Sequence, residues 1–449
     1  MIRKNDIVRL TIEKFGGENG IGHIDGLTVF VRNALPGETV EARVEKVQKS
    51  FAFLKTLRVL TPSAERRVPP CPVYEKCGGC QTQHMSYALS LEMKRERVAD
   101  VQLRLGGIQL DVPPVLGMED PWHYRNKISM PVGLVHGQVE TGYYLPRSHQ
   151  IIPVRECPVA MRETGPVLAL CKQWMAENGI PPYDEGTGKG LVRHIMVRVS
   201  RDGQVMAVVI SSALLPHTDR LVAMLREGVP GLNSVCLNIN TRRDNVILGQ
   251  ETRVLFGSGF MTDRLCGLVF RVSPLSFFQI NPTQTEVLYN LALEYAALTG
   301  KETVCDLYCG AGTISLLLAR RAAKVIGIEA VEAAVENARE NAERNGIRNC
   351  EFIAGPAEVI LPRLAQQGLK TNVCVLDPPR KGCEKPVLEA IAASGADRIV
   401  YVACDPATQA GDIAILVSLG YQAVKTQSVD MFCQTAHVES VVALNRAWL

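Results

Sequence analysis

Hydrophobic runs long enough to cross a membrane are missing from this sequence. The best candidate, Ile314–Ala319, ends at Arg320 and Arg321, whereas a spanning helix needs roughly 18 apolar residues. The opening stretch MIRKNDIVRL also lacks the apolar core and the small-residue cleavage site of a signal peptide. We therefore expect a cytoplasmic protein that does not contact a membrane.

Excess charge is scarce as well. The 49 lysines and arginines stand against 46 aspartates and glutamates, and the net charge of +3 is too small to indicate a nucleic-acid partner by itself. Hydrophobic residues make up 47% and charged residues 21% of the 449 positions, which excludes a mainly disordered chain. At roughly 150 residues per domain, this length predicts two or three domains.

Cysteine, by contrast, is abundant. The chain has 14 cysteines and no export signal, which argues against a disulfide framework. Reduced thiols, a metal site or a catalytic thiol are the uses that remain.

The N-terminal segment, residues 1–62, consists of short strand-like runs such as LTVFVRNAL and TVEARVEKV between turns that contain glycine or proline. Such spacing predicts a small β-barrel. The segment holds ten Lys and Arg against seven Asp and Glu, so it carries the whole net charge. An oligonucleotide-binding barrel and a plain packing module both fit this pattern.

The rest of the chain divides into two further predicted domains. Residues 63–270 begin with a Pro-rich linker and are strand-rich, apart from an amphipathic helix over 86–106 that we expect to pack on the catalytic domain. Asp202-Gly203 predicts a hairpin turn in this region. Residues 271–449 alternate strands and helices, which predicts a doubly wound α/β domain with a mostly parallel sheet.

Four cysteines have the spacing of a metal site. Cys71, Cys77 and Cys80 lie within ten residues of one another, and Cys157 follows later. Gly78-Gly79 allow the backbone to fold tightly enough for the thiolates to converge, and four thiolates suit zinc or an iron–sulfur cube. Spacing alone leaves iron–sulfur, zinc and no metal open.

The stretch VCDLYCGAGTISLLLA predicts a nucleotide-type ligand site between a strand and a helix. Gly310 and Gly312 allow a ligand to approach the backbone, and Glu329 at the end of the next strand can bind ribose hydroxyls. A dinucleotide fold shares these features, but its third glycine is missing. Asp306, ahead of the glycines, suits a cationic ligand such as S-adenosylmethionine. A plain strand–helix turn is the structural alternative.

Two more motifs are placed at strand ends. In LDPPRKG the prolines fix the turn, so that Asp377 stays at the ligand-binding edge of the sheet. Methylases of base amines often have an aromatic residue where this chain has Arg380. In YVACDPAT, Cys404 follows a strand and is a candidate nucleophile, although a cysteine here could also be a small core residue.

Together these motifs resemble the uracil-C5 RNA methyltransferase family over almost the whole chain. The matching parts are an N-terminal TRAM domain, which is an OB-type barrel, the four-cysteine iron–sulfur motif, the FFQIN segment, and the cofactor, DPPR, nucleophile and terminal HVE motifs. Relatives usually have Ser-Cys-Asn where this chain reads Ala403-Cys404-Asp405. This departure puts only the hydrogen bonding of the nucleophile in question.

The resemblance implies a role for ten residues. It implies that a [4Fe-4S] cluster is held by Cys71, Cys77, Cys80 and Cys157. It assigns contacts with S-adenosylmethionine to Gln279, Tyr308, Glu329 and Asp377. It makes Cys404 the nucleophile and Glu439 the base. Structural alternatives are that Tyr308 only packs and that Gln279 caps the helix beginning near Pro282.

The resemblance also implies a mechanism and a substrate. Cys404 adds to C6 of uracil, C5 attacks the methyl group, and Glu439 removes the C5 proton. The target is a uridine in a single-stranded loop or one that is flipped out, most simply in 23S rRNA because relatives acting on tRNA commonly lack the TRAM segment. Alternatives are a tRNA substrate, a base-amine methyltransferase and a non-catalytic RNA-binding cluster protein. No obligate protein partner is inferred.

Overall fold

The computed structural model describes residues 2–447, which form four β-sheets and ten helices. Among these residues, no helix combines the length and apolar character that a bilayer crossing requires. The elements are numbered in chain order below.

The N-terminal sheet has six strands in the spatial order β1-β5-β6-β4-β3-β2. The strands are β1 (Ile7–Thr11), β2 (Lys14–Gly16), β3 (Asn19–Ile24), β4 (Leu27–Arg32), β5 (Thr39–Val47) and β6 (Phe51–Thr61). Alternate residues of β4, including Val29 and Val31, are fully buried. The sheet curls so far that a Cβ on Gly22 of β3 would lie 2.8 Å from the Thr11 carbonyl oxygen of β1. Glycine is therefore required where the sheet closes.

Two helices follow the barrel: α1 (Tyr74–Cys77) and α2 (Tyr87–Gly106). Helix α2 begins at the N-cap Ser86, whose side chain accepts a hydrogen bond from the Leu89 N–H at 3.2 Å, and ends at Gly107 with a φ of +62°. The helix predicted over 86–106 is thus observed.

The central sheet has seven strands in the order β13-β12-β11-β10-β7-β8-β9. They are β7 (Lys127–Val135), β8 (Gln138–Tyr144), β9 (Ile151–Pro153), β10 (Val192–Val199), β11 (Val205–Ser211), β12 (Leu232–Ile239) and β13 (Glu251–Gly257). Helices α3 (Thr164–Glu177) and α4 (Thr218–Gly228) cover one face. The predicted hairpin at Asp202-Gly203 joins β10 to β11, which pair antiparallel.

The other face of the central sheet shares its core with the C-terminal region. Met206 and Val208 of β11 pack in one cluster with Phe270 and Leu288. Phe270 belongs to a two-stranded hairpin, β14 (Met261–Leu265) and β15 (Leu268–Val272), and Leu288 to helix α5 (Pro282–Ala296).

The C-terminal sheet has seven strands in the order β18-β17-β16-β19-β20-β22-β21. They are β16 (Thr303–Leu307), β17 (Lys324–Glu329), β18 (Cys350–Ala354), β19 (Val373–Leu376), β20 (Arg398–Ala403), β21 (Tyr421–Val429) and β22 (Glu439–Arg446). The helices between them are α6 (Thr313–Ala319), α7 (Glu332–Arg344), α8 (Ala357–Gln366), α9 (Lys385–Ala393) and α10 (Pro406–Ser418).

Five neighbouring strands of this sheet are parallel, and β22 and β21 complete it antiparallel. All four residues of β19 are buried, as expected for a strand covered by helices on both faces. The predicted doubly wound α/β fold is confirmed. Helix α2 packs against α10, and a Cβ on Gly106 would lie 3.2 Å from the Ala410 carbonyl oxygen. The predicted packing of α2 on the catalytic region is therefore also observed.

Candidate functional site

The carboxyl ends of the parallel strands bring three predicted cofactor residues into one row. Leu307 of β16 pairs with Ile328 on one side and with Leu376 on the other. Tyr308, Glu329 and Asp377 each follow one of these residues, so they lie side by side where the strands end. This edge is where open α/β sheets bind ligands.

The turn after β16 leaves its backbone open. Tyr308, Gly310 and Gly312 all have positive φ angles, of 63°, 55° and 79°. A Cβ on Gly310 would meet no atom within 4 Å, so this turn can be approached closely by a ligand. Glu329 holds the turn: its Oε2 accepts a hydrogen bond from the Gly310 N–H at 3.1 Å, and its Oε1 accepts one from the Val331 N–H at 2.9 Å.

A cavity that is partly open to solvent lies over this turn. Its walls include Gln279, Tyr308 and Asp377, so three of the four predicted cofactor residues line one space. Gln279 does not cap α5, because Asn281 does so by accepting a hydrogen bond from the Gln284 N–H at 3.2 Å. That structural alternative for Gln279 is therefore wrong.

Two buried carboxyl groups give the cavity region its charge preference. Burial raises the pKa of Asp306 to about 7 and that of Asp377 to about 7. The Ser315 hydroxyl donates to Asp306 Oδ2 at 2.5 Å, whereas Oδ1 has no hydrogen-bond partner within residues 2–447. A cationic ligand would stabilise both carboxylates, and S-adenosylmethionine carries a sulfonium and an ammonium group. The residues present fit this cofactor.

The predicted nucleophile and base lie opposite each other on neighbouring strands. Ala403 of β20 pairs with Ser440 of β22 in an antiparallel register. Cys404 directly follows β20 and Glu439 directly precedes Ser440, so the two residues lie near each other, and the charge of Glu439 raises the pKa of the Cys404 thiol. Residues separated along the sequence are thereby brought into one site.

A second, smaller cavity reaches Cys404 and includes Arg380 and Asp405 in its walls. It adjoins the first cavity, because Asp377 lines one and Pro378 lines the other. A methyl donor in the first cavity and a uracil ring at the second would therefore be neighbours.

The charges around Cys404 oppose one another. Burial raises the pKa of the Cys404 thiol, and Glu439 adds to that increase, whereas the Arg380 guanidinium lowers the pKa by charge and by hydrogen bonding. Burial also raises the pKa of the Glu439 carboxyl well above its ordinary value, with Asp377 adding to the effect and Arg380 opposing it. Arg380 therefore favours both ionised groups. In the sequence, Arg380 stood out only because it occupies a position where methylases of base amines often have an aromatic residue.

Asp405 explains why the departure from Ser-Cys-Asn is tolerated. It is the N-cap of α10, and its Oδ1 accepts hydrogen bonds from the Ala407 and Thr408 N–H groups at 3.0 and 3.2 Å. Asparagine and aspartate cap helices equally well. The positive end of the α10 dipole then lies beside Cys404 and favours its thiolate.

The four predicted cluster cysteines share one neighbourhood. Burial raises the pKa of Cys80 to about 12, and the thiols of Cys157, Cys77 and Cys71 raise it further by electrostatic repulsion. All fourteen cysteines fall within the described residues and are free thiols. Within that part of the chain, no group of three or more Cys, His, Asp or Glu stands in metal-holding geometry. Thiolates are soft donors that suit an iron–sulfur cluster chemically, and the cluster stays a prediction.

A pair of cationic residues that the sequence did not indicate lies on the central sheet. Lys127 of β7 pairs across strands with Arg198 of β10. Burial lowers the pKa of Lys127 to about 8, and the charges of Arg198 and Arg125 lower it further. Arg198 donates to the Ser276 carbonyl at 2.5 Å, close to the exposed ring of Phe277 in the FFQIN segment. Arg198 is buried and bonds to backbone carbonyls, so it holds the start of the FFQIN segment in place.

The fold and the site together define an S-adenosylmethionine-dependent methyltransferase. Residues 244–447 match the tRNA (uracil-5-)-methyltransferase family, and residues 3–54 match the TRAM domain. The chain belongs to the RNA uracil-C5 methyltransferase family.

Relatives of similar length support this assignment. An uncharacterized RNA methyltransferase of Clostridium tetani is 48% identical over 99% of this chain and 97% of its own length. Another, from Clostridium acetobutylicum, is 45% identical over 99% of this chain and 98% of its own. The crystal structure of Pyrococcus abyssi tRNA (uracil-54, C5)-methyltransferase in complex with S-adenosyl-L-homocysteine superposes with a TM-score of 0.78 at 25% identity, covering 97% of this chain and 100% of that one.

Proposed function

We propose that the protein methylates C5 of a uridine in 23S rRNA through a covalent bond between Cys404 and C6 of the base. The observation that carries the proposal is the nearness of Cys404, which follows β20, to Glu439, the first residue of the neighbouring strand β22, whose charge raises the pKa of the Cys404 thiol. A nucleophile and a base on one side of the same ring are what an addition–elimination at uracil needs.

The residues act in sequence. The Cys404 thiolate, favoured by Arg380 and by the α10 dipole, adds to C6, and the electron pair of the C5–C6 bond moves to make C5 nucleophilic. S-adenosylmethionine supplies the methyl group that C5 takes up. Glu439 then accepts the C5 proton, the double bond forms again, and the thiolate leaves. The raised pKa of Glu439 makes its carboxylate a strong base once it is ionised.

The choice of 23S rRNA rests on the family resemblance, in which the TRAM segment accompanies ribosomal substrates. A transfer RNA is the second candidate, because the Pyrococcus abyssi tRNA (uracil-54, C5)-methyltransferase aligns with 97% of this chain, a share that includes most of the barrel. The TRAM match and the RNA methyltransferase relatives support an RNA substrate of either kind.

Mapping 5-methyluridine in both RNAs decides between these substrates. We expect one uridine or more in 23S rRNA to lose the methyl group in cells that lack the protein and to regain it with the wild-type chain. Loss confined to tRNA would replace the ribosomal assignment with the second candidate. No change in either RNA would contradict the proposal.

We also propose that Cys71, Cys77, Cys80 and Cys157 hold a [4Fe-4S] cluster. The support is the spacing of these cysteines, which resembles the cluster motif of the family, and the electrostatic influence of Cys157, Cys77 and Cys71 on the Cys80 thiol. The proposed methylation transfers no electron, so these residues would serve structure and RNA positioning.

A further inference from the structure

The segment that leads to the proposed base is unusual for a loop. Residues 430–438, here named the base loop, connect β21 to β22, and Glu439 follows directly. The base loop has no helix or strand, yet Asp430, Met431, Cys433 and Val438 are fully buried. Buried irregular backbone needs hydrogen-bond partners from elsewhere in the molecule.

Some of these hydrogen-bond partners lie in the segment that follows the cluster cysteines. The N–H groups of Gln81 and Thr82 both donate to the Gln434 carbonyl, at 2.9 and 3.2 Å. The side-chain Oε1 of Gln81 accepts a hydrogen bond from the Ala436 N–H at 3.3 Å. Cys80 directly precedes Gln81 in sequence, so the backbone of the cysteine segment continues into these contacts.

Helix α2 supplies the strongest contact. Lys94 Nζ lies 2.5 Å from Asp430 Oδ1, and both side chains are completely buried. The Tyr87 hydroxyl donates to the other oxygen, Oδ2, at 2.7 Å, and Lys94 also donates to the Phe432 carbonyl at 3.3 Å. Removing one partner of such a pair leaves an uncompensated buried charge. The ion pair therefore fixes the start of the base loop.

Further contacts fix the middle and the end of the loop. The Tyr124 hydroxyl donates to the Cys433 carbonyl at 2.9 Å. Arg97 of α2 donates to the Ala436 carbonyl at 3.0 Å, three residues before Glu439. The base loop is therefore held along its whole length by residues outside the C-terminal sheet.

We propose that helix α2 and the segment after the cluster cysteines position Glu439 for removal of the C5 proton, with Lys94 and Asp430 as positioning residues. This inference rests on the proposed function. Cys404 is carried by β20 and α10, whereas Glu439 is reached through the base loop. Release of the loop should therefore displace the base relative to the nucleophile and leave addition and methyl transfer largely intact.

Lys94→Met tests the proposal in the full-length enzyme with RNA and labelled S-adenosylmethionine. We expect single-turnover methyl transfer to stay within about threefold of wild type, while release of methylated RNA slows by roughly 100-fold, the loss typical of a misplaced catalytic group. A denaturation-resistant protein–RNA adduct that carries the label should then accumulate. Lys172→Met, which breaks a salt bridge of 2.8 Å to Glu140 on the central sheet, is the matched control and should form no such excess.

Gln81→Ala is the milder second variant, since it removes one side-chain hydrogen bond to the base loop. It should also slow the release of methylated RNA. Adduct accumulation in either variant supports the proposal. Unchanged release in both, or an equal loss of methyl transfer and release without adduct, would overturn it. An experiment with wild-type enzyme and 5-fluorouridine RNA separates the positioning proposal from the proposed function. If no adduct forms there, the covalent mechanism itself is contradicted.

Discussion

At the scale of single residues, the site depends on burial. Glu439 is buried and Cys404 is half-buried, which makes both ionised forms costly, and Arg380 is the cation that offsets this cost. A thiolate and a carboxylate generated in such a site are more reactive than in water. The role of each residue can therefore be tested by a substitution that removes the reactive group and keeps the size of the side chain.

The first prediction separates nucleophile from base. Cys404→Ala should abolish turnover, because no other group can add to C6, while S-adenosylmethionine binding persists. Glu439→Gln should still allow addition and methylation, so a labelled protein–RNA adduct should accumulate on a denaturing gel. Cys266→Ala, which changes a partly exposed cysteine of the β14–β15 hairpin, should behave as wild type. Activity in Cys404→Ala would refute the covalent mechanism.

The second prediction concerns pH and the buried carboxyl groups. Asp306 and Asp377 have pKa values of about 7, so in the free protein they become protonated as the pH falls below 7. A cationic ligand favours their ionised forms and hence releases protons on binding. The affinity for S-adenosylmethionine should therefore rise with pH up to about 7, by up to about tenfold per pH unit for each proton released, and then level off.

Calorimetric titration at several pH values measures this dependence. Asp377→Asn should weaken binding at pH 8 and flatten the pH profile, because one titrating group is removed. Asp244→Asn, at an exposed ion pair with Arg242, provides the control and should leave the profile unchanged. An affinity independent of pH in the wild type would rule out the role assigned to these carboxyl groups.

At the scale of elements, local pattern was sufficient for much of the fold. Helix α2 could be predicted from its apolar spacing, and the strand ends carrying Asp377 and Cys404 from short buried runs followed by proline turns. Strand pairing is not local. The antiparallel insertion of β22 beside β20, which brings Glu439 to Cys404, depends on sheet order that no nearby residues encode.

The ion pair of Lys94 and Asp430 shows the same limit. The two residues are 336 positions apart, and each alone is an ordinary charged residue in the sequence. The burial of Lys127 could not be predicted from the sequence either, because it results from packing between distant segments. The predicted domain boundaries and the predicted site roles stay predictions, although Gln279, Tyr308 and Asp377 do line one cavity.

The cysteine segment permits the third prediction. Protein purified without oxygen should contain about four irons per chain and absorb broadly near about 400 nm, as thiolate-bound cubes do. Cys157→Ala should lose most of that iron, and Cys350→Ala, at a half-buried cysteine of β18, should keep it. Stoichiometric zinc without iron would contradict the cluster assignment.

At the scale of the whole molecule, the N-terminal sheet presents an RNA-compatible face. The rings of Phe30, Phe51 and Phe53 lie 5.4 to 5.8 Å apart on the outer side of β4 and β6, and Phe53 is 38% exposed. Beside them, Arg32 of β4 pairs with Lys55 of β6. Aromatic rings for stacking flanked by cations are typical of surfaces that bind single-stranded RNA.

The fourth prediction tests whether this face contributes to substrate binding. Phe53→Ala should weaken RNA binding by about tenfold, within the range of about 1–3 kcal/mol for loss of one stacked base. Lys55→Ala should make RNA binding less dependent on salt, because about one counterion fewer is released when the RNA binds. Both variants should bind S-adenosylmethionine as wild type does, because the cofactor cavity lies at a different sheet.

Leu57→Ala, at an exposed apolar residue of the same strand, is the control for lost surface area. If RNA affinity and its salt dependence stay constant in Phe53→Ala and Lys55→Ala, the barrel serves only as a packing module, and RNA recognition must come from another part of the molecule.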